Sequence, residues 1–218
     1  MSDQDRAAKL FAAALATRGF LPDDEARALA RASARAAASA LGPLLEVGSY
    51  LGRSALVIAS GIAASRRDTV CFSLDHHRGS EELQVGWPDH DPDLVDPRSG
   101  RIDTLSRFRD RIEDADATDL VIAVVGDSPR IGRHLRGPFS LAFLDGGHGE
   151  QIAWADYRTF APLVAPGGLL VIHDVFEDPA EGGRPPYECF RDALGSGRFI
   201  EDVPASCRSL RVLVRDDN

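Results

Sequence analysis

Short apolar runs that could form buried strands alternate with helix-like segments along the middle of the chain. The runs are LLEV, VCFSLD, VIAVV, FSLAFL and LLVI, and most are apolar throughout instead of alternating with polar residues. Such runs are typical of parallel strands that are covered on both faces by the helices that connect them. The pattern therefore predicts an α/β fold with a mostly parallel sheet, followed by an antiparallel pair from RFIEDV and SLRVLVRD.

Apolar residues at helical spacing fill most of the intervals between these runs. Residues 1–41 predict two N-terminal helices that are separated at Pro22, with Asp23 as the N-cap of the second. A short helix is expected at SPRIGRHL, where Ser128 would be the N-cap and Pro129 the first residue. Further helices are predicted at residues 53–64, 101–114, 187–195 and along EQIAWADYRTFAPLV, which the stop signal APGG ends.

The segment from His76 to about Gly100 is polar and carries few periodic apolar residues. A loop of that length inside a compact domain is commonly functional. We expect residues 76–100 to form an active-site loop within a single domain that spans residues 1–218, and a disordered acidic loop is the alternative. The N-terminal helices are expected to be packing scaffold, with a cofactor lid or a homodimer contact as alternatives.

Composition narrows the classes of partner. The formal net charge of −9 and the pI of about 5.1 argue against binding to the phosphate backbone of a nucleic acid. Three widely spaced cysteines without a CxxC pair do not predict a disulfide framework or a zinc knuckle. No apolar run is long enough for a bilayer-spanning helix, and the N-terminus lacks the pattern of a secretory signal. We therefore expect a cytoplasmic protein that acts on a small molecule or an oligosaccharide, without a membrane partner.

Polar residues follow each of the five predicted parallel strands at its carboxyl end. In open α/β sheets, ligands bind in the crevice beyond these ends. Five polar strand ends in succession therefore predict one shared site. These strand ends are Gly48–Ser54, Asp75–His77, Gly126–Ser128, Asp145–His148 and His173–Asp174.

The loop between Glu46 and Ser54 carries two glycines in a GxxxG spacing. It lacks the GxGxxG of a dinucleotide site, in which pyrophosphate meets a helix N-terminus. The loop suits a cofactor whose charged groups are an ammonium and a carboxylate, and Glu46 could balance a cationic amino group or a sulfonium. Asp75, at the end of the second strand, is the natural acceptor for two ribose hydroxyls. Gly126 would leave room for an adenine ring, and Ser128 could either contact that ring or cap a helix.

Two carboxylates and two histidines follow the fourth and fifth strands. Asp145 and Asp174 could converge on one cation, and carboxylate oxygens suit a hard ion such as Mg²⁺. His148 follows Asp145 by three residues across a Gly-Gly pair, so it could face the same pocket. An imidazole has a suitable proton affinity for a general base near neutral pH.

The ordered set LLEVGSYLGRS, FSLDHH, VVGDS, FLDGGH and APGGLLVIHD resembles class I S-adenosylmethionine-dependent methyltransferases over about residues 44–175. More narrowly, it is similar to metal-dependent O-methyltransferases that act on sugar hydroxyls, including those of macrolide sugars. The segment DHHRGSEE looks most like actinobacterial enzymes of methylmannose polysaccharide assembly, which methylate the 1-hydroxyl of mannosides. The resemblance implies a Rossmann-like class I fold with a mostly parallel seven-stranded sheet.

The resemblance also implies roles for individual residues. His148 would be the catalytic base, and Asp145 and Asp174 would bind Mg²⁺ or another divalent cation. His173 stands where the family commonly has an acidic residue, which leaves the third metal ligand open and could change the metal preference. The residues expected to bind S-adenosylmethionine are Glu46, Gly48, Ser49, Gly52, Ser54, Asp75, His76, Asp127, Ser128 and Asp145. The residues expected to contact the acceptor are His77, Arg78, Glu82, Trp87, His90 and Tyr187.

Metal-assisted methyl transfer to a sugar hydroxyl is the function that these residues predict. A sugar hydroxyl is a poor acid, so a metal and a base would act together on it. A catechol, a phenol or another natural product is the nearest alternative acceptor. An NAD-dependent oxidoreductase is an alternative of another class, against which the missing GxGxxG and the absence of Tyr-x-x-x-Lys both argue. A non-catalytic cofactor-binding protein is a third alternative, and the complete set of metal and base candidates argues against it.

Overall fold

A computed structural model of the chain describes residues 2–87, 89–147, 149–178 and 180–216. Two helices, α1 (Asp3–Ala16) and α2 (Asp23–Ser39), come first, as predicted. Ser2 and Asp5 form a capping box at the start of α1. The N-cap of α2 is Pro22, so the prediction of Asp23 was wrong by one position. Asp23 instead opens the first turn, where its charge complements the positive end of the helix dipole.

The remaining helices alternate with the strands, which confirms the predicted α/β class. The helices are α3 (Arg53–Ser65), α4 (Leu105–Asp114), α5 (Ser128–Gly132), α6 (Glu150–Phe160) and α7 (Arg184–Gly195). The strands are β1 (Leu44–Val47), β2 (Cys71–Asp75), β3 (Val95–Asp96), β4 (Arg101–Ile102), β5 (Val121–Val125), β6 (Phe139–Leu144), β7 (Val164–Ile172), β8 (Phe199–Glu201) and β9 (Arg211–Arg215).

Seven of these strands form one sheet in the order β5-β2-β1-β6-β7-β9-β8. Five neighbouring strands, β5, β2, β1, β6 and β7, are parallel. Strand β9 runs antiparallel to both β7 and β8. The predicted parallel sheet and the C-terminal antiparallel pair are both confirmed. Because the five parallel strands share one direction, their carboxyl ends meet along one edge of the sheet.

Successive residues of the buried strands point to opposite faces of the sheet. Leu44 packs in a core with α1, α2 and α3, whereas its neighbour Leu45 packs in a second core with α6 and α7. The same alternation separates Phe143 from Leu144 on β6. Burial on both faces explains why these strands are apolar throughout.

Three local predictions differ from the structure. Helix α4 begins at Leu105, because Arg101 and Ile102 pair with Asp96 and Val95 in the small sheet β3-β4. The N-cap of α5 is Asp127 and its first residue is Ser128, so the prediction that Ser128 is the cap was wrong. The sequence APGG lies inside β7, where the pairing with β6 shifts register.

The described residues of the segment 76–100 form structure of their own. Two 3₁₀ turns, Glu81–Leu83 and Pro92–Leu94, precede β3. Leu83, Leu94 and Ile102 pack with Leu51 in a small apolar cluster beside the first loop. The segment therefore packs against the loop that follows β1. No helix in the described part of the chain is both long and apolar enough to cross a bilayer.

Candidate active site

A cavity of about 310 Å³ lies at the carboxyl ends of the parallel strands. Every predicted strand end contributes to its wall, through Gly48, Asp75, Gly126, Asp145 and Asp174. The sequence-based prediction of a site shared by five strand ends therefore matches the wall of a single cavity. Ser49, Ser54, His76, Glu82 and Ser128, which were also predicted as site residues, line the same cavity.

Gly48 occupies a position that no other residue fits. Its φ is +93°, and a Cβ placed there would lie 2.1 Å from the backbone oxygen of Asp145. Only glycine combines this conformation with so close an approach. The loop that follows β1 therefore packs directly against the end of β6, and both line the cavity.

Asp75 ties the first loop to the end of β2. One carboxylate oxygen accepts hydrogen bonds of 2.9 Å from the backbone N–H groups of Ser49 and Tyr50. The other accepts a bond of 2.7 Å from the N–H of His77. An ionised carboxylate offers about four acceptor sites, so Asp75 keeps capacity for a hydroxyl group from the cavity.

Glu46 is buried behind the wall of the cavity and is not one of its lining residues. Its side chain accepts a hydrogen bond from Ser73, whose hydroxyl also contacts Ser49 at 2.7 Å. Burial raises the pKa of Glu46 to about 7, and the nearby Asp145 and Asp75 add to the rise, although Ser54 and Ser73 oppose it. Glu46 thus supports the hydroxyl groups that line the loop.

Asp127 and Ser128, at the start of α5, have different roles. Asp127 caps the helix by accepting a bond of 3.0 Å from the N–H of Arg130, and it does not line the cavity. Ser128 lines the cavity and donates its hydroxyl to Asp156, a buried carboxylate on α6. Burial raises the pKa of Asp156 to about 6, with Asp127 and Asp75 adding to the rise and Ser128 opposing it.

Asp156 is a site residue that sequence reasoning missed. It lies in the middle of a helical pattern, where a single aspartate is commonly a solvent-facing residue. Only its packing against Ser128 at the end of β5 places it in the cavity. The contact pairs α6 with the strand end three elements earlier, which no local pattern indicates.

Asp145, His173 and Asp174 form a cluster in which one ligand atom of each lies within 4.8 Å of the others. The Nδ1 atom of His173 is 2.9 Å from Oδ1 of Asp145 and 3.1 Å from Oδ2 of Asp174. Two metal–ligand bonds of about 2.1 Å at a right angle would separate their donor atoms by about 3.0 Å. The three residues therefore fit a divalent cation in both donor chemistry and spacing.

His173 is held from its other side by Glu25 of α2. The Nε2 atom lies 2.6 Å from Oε2 of Glu25, and both side chains are at most 2% exposed. Burial favours the neutral ring, but the carboxylates of Asp145, Asp174 and Glu25 outweigh it and raise the pKa of His173 well above the usual range. Glu25 was not predicted as a site residue, and it joins the cluster from 148 positions away.

The predicted base, His148, lies outside the described residues. Its role therefore stays a prediction from the sequence. The residues on either side, Gly147 and Gly149, are described, and Gly147 lines the cavity.

Several predicted acceptor contacts lie away from the cavity wall. His77 is buried, with Nδ1 2.8 Å from the hydroxyl of Thr104. Arg78 pairs with Asp103 at 3.0 Å. Gly52 is another predicted site residue outside the lining: its φ is +93°, and it is the N-cap of α3.

Trp87, His90 and Tyr187 also lie outside the described lining. Trp87 is 48% exposed, and the Nδ1 atom of His90 is 3.0 Å from the backbone oxygen of Leu83. Tyr187 lies on α7 beside a separate hollow that Phe190 also lines. Side chains in loops have no fixed period, so the sequence could not indicate which of them face inward.

The N-terminal segment supplies part of the cavity wall through Gly19, Phe20 and Leu21. Arg53, the first residue of α3, holds this segment through hydrogen bonds to the backbone oxygens of Leu21 at 2.8 Å and Leu15 at 3.0 Å. The expectation that the N-terminal helices are only scaffold is therefore too narrow, because the segment between them faces the site.

Negative charge dominates the described lining of the cavity. Arg53 is the only lysine or arginine among those residues, and its guanidinium is committed to backbone oxygens and Asp23. The carboxylates in the same lining are Asp75, Glu82, Asp89, Asp145, Asp156 and Asp174.

Comparison with known proteins gives a family and a fold. Residues 45–175 match the sequence profile of a family described as a methyltransferase domain. An O-methyltransferase from Bacillus cereus in complex with SAH is similar in structure, with a TM-score of 0.60, 15% identity, and coverage of 98% of this chain and 90% of that one. TomG, an O-methyltransferase of Streptomyces achromogenes in complex with SAM, has a TM-score of 0.61, 15% identity, and coverage of 100% and 91%.

A TDP-rhamnose 3'-O-methyltransferase of calicheamicin biosynthesis is similar at a TM-score of 0.62 and 14% identity, with coverage of 99% of this chain and 94% of that one. At these identities the three likenesses establish a shared fold.

Proposed function

The chain belongs to the methyltransferase domain family, and from this premise we propose that it transfers the methyl group of S-adenosylmethionine to a hydroxyl oxygen of a sugar. One observation carries the proposal: a single cavity joins the Gly48 loop and Asp75 to the pair Asp145 and Asp174. Methyl transfer needs the methyl donor and the acceptor oxygen in line, and a shared cavity supplies that positioning.

The cofactor end of the cavity is formed by the first, second and third strand ends. Asp75 has acceptor capacity for ribose hydroxyls while it holds the first loop in place. Gly126 and Ser128 line the cavity at the third strand end, where an adenine ring would bind, and Asp156 supports that serine. Ser49 and Ser54 would receive the methionine end, and Glu46 orients both through its contacts below them.

Asp145, His173 and Asp174 would hold a divalent cation, Mg²⁺ being the ion expected from the sequence. A cation bound there would lower the pKa of the acceptor hydroxyl, which is otherwise a poor acid. In the proposed mechanism, the imidazole of His148 accepts the proton from that hydroxyl as the oxygen attacks the methyl group. The bond between the methyl carbon and the sulfonium sulfur breaks, and S-adenosylhomocysteine is the leaving group. Asp145 and Asp174 would orient the acceptor with or without a bound cation, because both residues line the cavity.

A neutral sugar, such as a mannoside methylated at its 1-hydroxyl, suits the acceptor end better than a nucleotide sugar. Glu82 and Asp89 line the cavity, and carboxylates accept hydrogen bonds from sugar hydroxyls. A diphosphate group would meet these charges without a free arginine or lysine among the described lining residues. Phe20, which is 56% exposed, contacts Tyr50 at a tilted angle with ring centroids 5.4 Å apart, and it would offer an apolar face to a sugar ring.

The test is transfer of a labelled methyl group from S-adenosylmethionine to a panel of mannosides, other neutral sugars, nucleotide sugars and catechols. Each acceptor is assayed with a divalent cation and in excess chelator. Labelled product from neutral sugars, lost in chelator, is the expected result. Transfer to catechols alone would replace the sugar acceptor by a phenolic one, and undiminished turnover in chelator would remove the metal from the proposal.

A further inference from the structure

Glu25 makes a buried contact that the methyl-transfer chemistry does not by itself require. Its side chain is 1% exposed and lies on α2, outside the parallel strands. One carboxylate oxygen contacts Nε2 of His173 at 2.6 Å, and the other accepts bonds of 2.9 Å from both the N–H and the hydroxyl of Ser209. Burial of an ionised carboxylate is strongly unfavourable unless the group is paired, so this set of contacts restricts the position of the Glu25 side chain.

The contact with Glu25 determines which nitrogen of His173 is directed at the two aspartates of the cluster. Since Nε2 donates to Glu25, Nδ1 is the atom directed at Asp145 and Asp174, at 2.9 and 3.1 Å. Histidines that ligate metals commonly donate their other ring N–H to a carboxylate, which fixes the orientation of the ring. The Glu25–His173 pair has this arrangement.

We propose that Glu25 is a positioning residue that presents Nδ1 of His173 as a nitrogen ligand, so that the site selects a first-row transition ion over Mg²⁺. The proposal rests on the cation site of the proposed function. Its physical basis is that Mg²⁺ prefers an all-oxygen set, whereas imidazole favours ions such as Co²⁺. His173 therefore shifts the preference of the site from Mg²⁺ to a transition ion. Glu25 makes this possible because it orients the ring of His173.

The experiment titrates metal-stripped protein with Co²⁺, follows the visible absorption of the bound ion, and then competes Co²⁺ with Mg²⁺. Wild type is compared with Glu25→Gln, with His173→Asp, and with Asp24→Asn as the matched control. Asp24 lies in the same helical turn and pairs with Arg208 at the surface. Its Oδ1 also accepts a bond of 3.1 Å from the backbone N–H of Glu25, and asparagine keeps that acceptor.

We expect Glu25→Gln to weaken Co²⁺ binding about 10- to 100-fold, while Asp24→Asn stays within about twofold of wild type. His173→Asp should narrow the preference for Co²⁺ over Mg²⁺ by about tenfold or more, because the nitrogen ligand is lost. Equal Co²⁺ affinity in wild type and Glu25→Gln overturns the proposal, as does an unchanged Co²⁺ to Mg²⁺ ratio in His173→Asp.

A second measurement covers the case in which Glu25→Gln does not fold, as judged by circular dichroism. Pulsed EPR of the Mn²⁺ complex should show coupling to one imidazole nitrogen in wild type and none in His173→Asp, and its absence from wild type overturns the proposal. Calorimetric titration with S-adenosylhomocysteine separates the two ideas. Wild type that binds Co²⁺ as expected but not S-adenosylhomocysteine contradicts the proposed function alone.

Discussion

The guanidinium group of Arg53 donates a hydrogen bond of 2.8 Å to the backbone oxygen of Leu21, which ties the start of α3 to the segment between α1 and α2. The same group reaches the backbone oxygens of Leu15 and Thr17, which the C-terminal end of α1 leaves unpaired. Arg53 directly follows the Gly48 loop, so it couples that loop to the segment that carries Phe20 in the cavity wall.

Arg53→Lys should lower the free energy of unfolding by about 2 kcal/mol, because an ammonium cannot replace the planar fork that serves several oxygens at once. The measurement is urea denaturation followed by circular dichroism. Arg66→Lys is the matched control, since Arg66, at the C-terminal end of α3, forms an exposed ion pair with Asp3 of α1 at 3.5 Å. The control should change stability by less than about 0.5 kcal/mol. Equal effects of the two substitutions would contradict a special role for Arg53.

Gly48→Ala should abolish most S-adenosylhomocysteine binding and destabilise the fold by about 2 kcal/mol or more. The added Cβ would lie 2.1 Å from the backbone oxygen of Asp145, and the φ of +93° is itself strained for alanine. Calorimetric titration and thermal unfolding measure the two effects. Gly195→Ala is the control, because nothing lies within 4 Å of a Cβ at that position. Wild-type cofactor affinity in Gly48→Ala would disprove the close packing of this loop.

Glu46 makes stability depend on pH in a direction opposite to that of most carboxylates. Its pKa is about 7 in the folded chain against 4.5 in the unfolded chain, so the folded state binds the proton more tightly. The contribution of protonated Glu46 to the free energy of unfolding is fully present below pH 4.5 and is lost as the pH rises through about 7. The difference between the two pKa values corresponds to about 3 kcal/mol.

Urea denaturation of wild type and Glu46→Gln between pH 5 and pH 8, without cofactor, checks this linkage. The free energy of unfolding of the variant should gain on that of wild type as the pH rises, since glutamine has no proton to lose. Glu150→Gln, on the exposed start of α6, controls for the loss of one carboxylate. Parallel pH profiles for wild type and Glu46→Gln would show that the buried carboxyl is ionised throughout.

His148→Ala should reduce kcat about 100-fold or more while leaving the affinity for S-adenosylhomocysteine near the wild-type value. The expectation follows from the loss of the proton acceptor at a step that cofactor binding does not involve. Initial-rate kinetics and calorimetric titration provide the two readings. His134→Ala, at an exposed histidine, is the control. A kcat close to that of wild type would assign the base to another residue.

The sequence was sufficient for those parts of the fold and site that local patterns determine. Most of the apolar runs predicted parallel strands because burial on both faces favours apolar residues, as at Leu141 and Leu170. The edge strand β5 is apolar although Ile122 and Val125 are exposed, so burial does not explain that run. The placement of Asp145 beside Asp174 followed from strand direction, because neighbouring parallel strands end at the same edge.

Contacts between distant elements could not be predicted in this way. Glu25 meets His173 only because of the way α2 packs across the sheet, and nothing near Glu25 in the sequence indicates a partner 148 positions away. Asp127 and Ser128 are adjacent, and either side chain could cap the helix. Asp127 is the cap because the Ser128 hydroxyl donates its hydrogen bond to Asp156 instead. His77 sits in a loop without a period, and its burial beside Phe108 is a matter of tertiary packing.

The participation of α2 in the site bears on how the chain can be shortened. A fragment trimmed to the family-matched interval 45–175 would keep every strand end that borders the cavity. It would lose Glu25 at one end and Ser209 at the other, and with them the clamp on the ring of His173. Loss of metal affinity in such a minimal fragment would therefore reflect an imidazole released from its support, because Asp145, His173 and Asp174 are themselves still present.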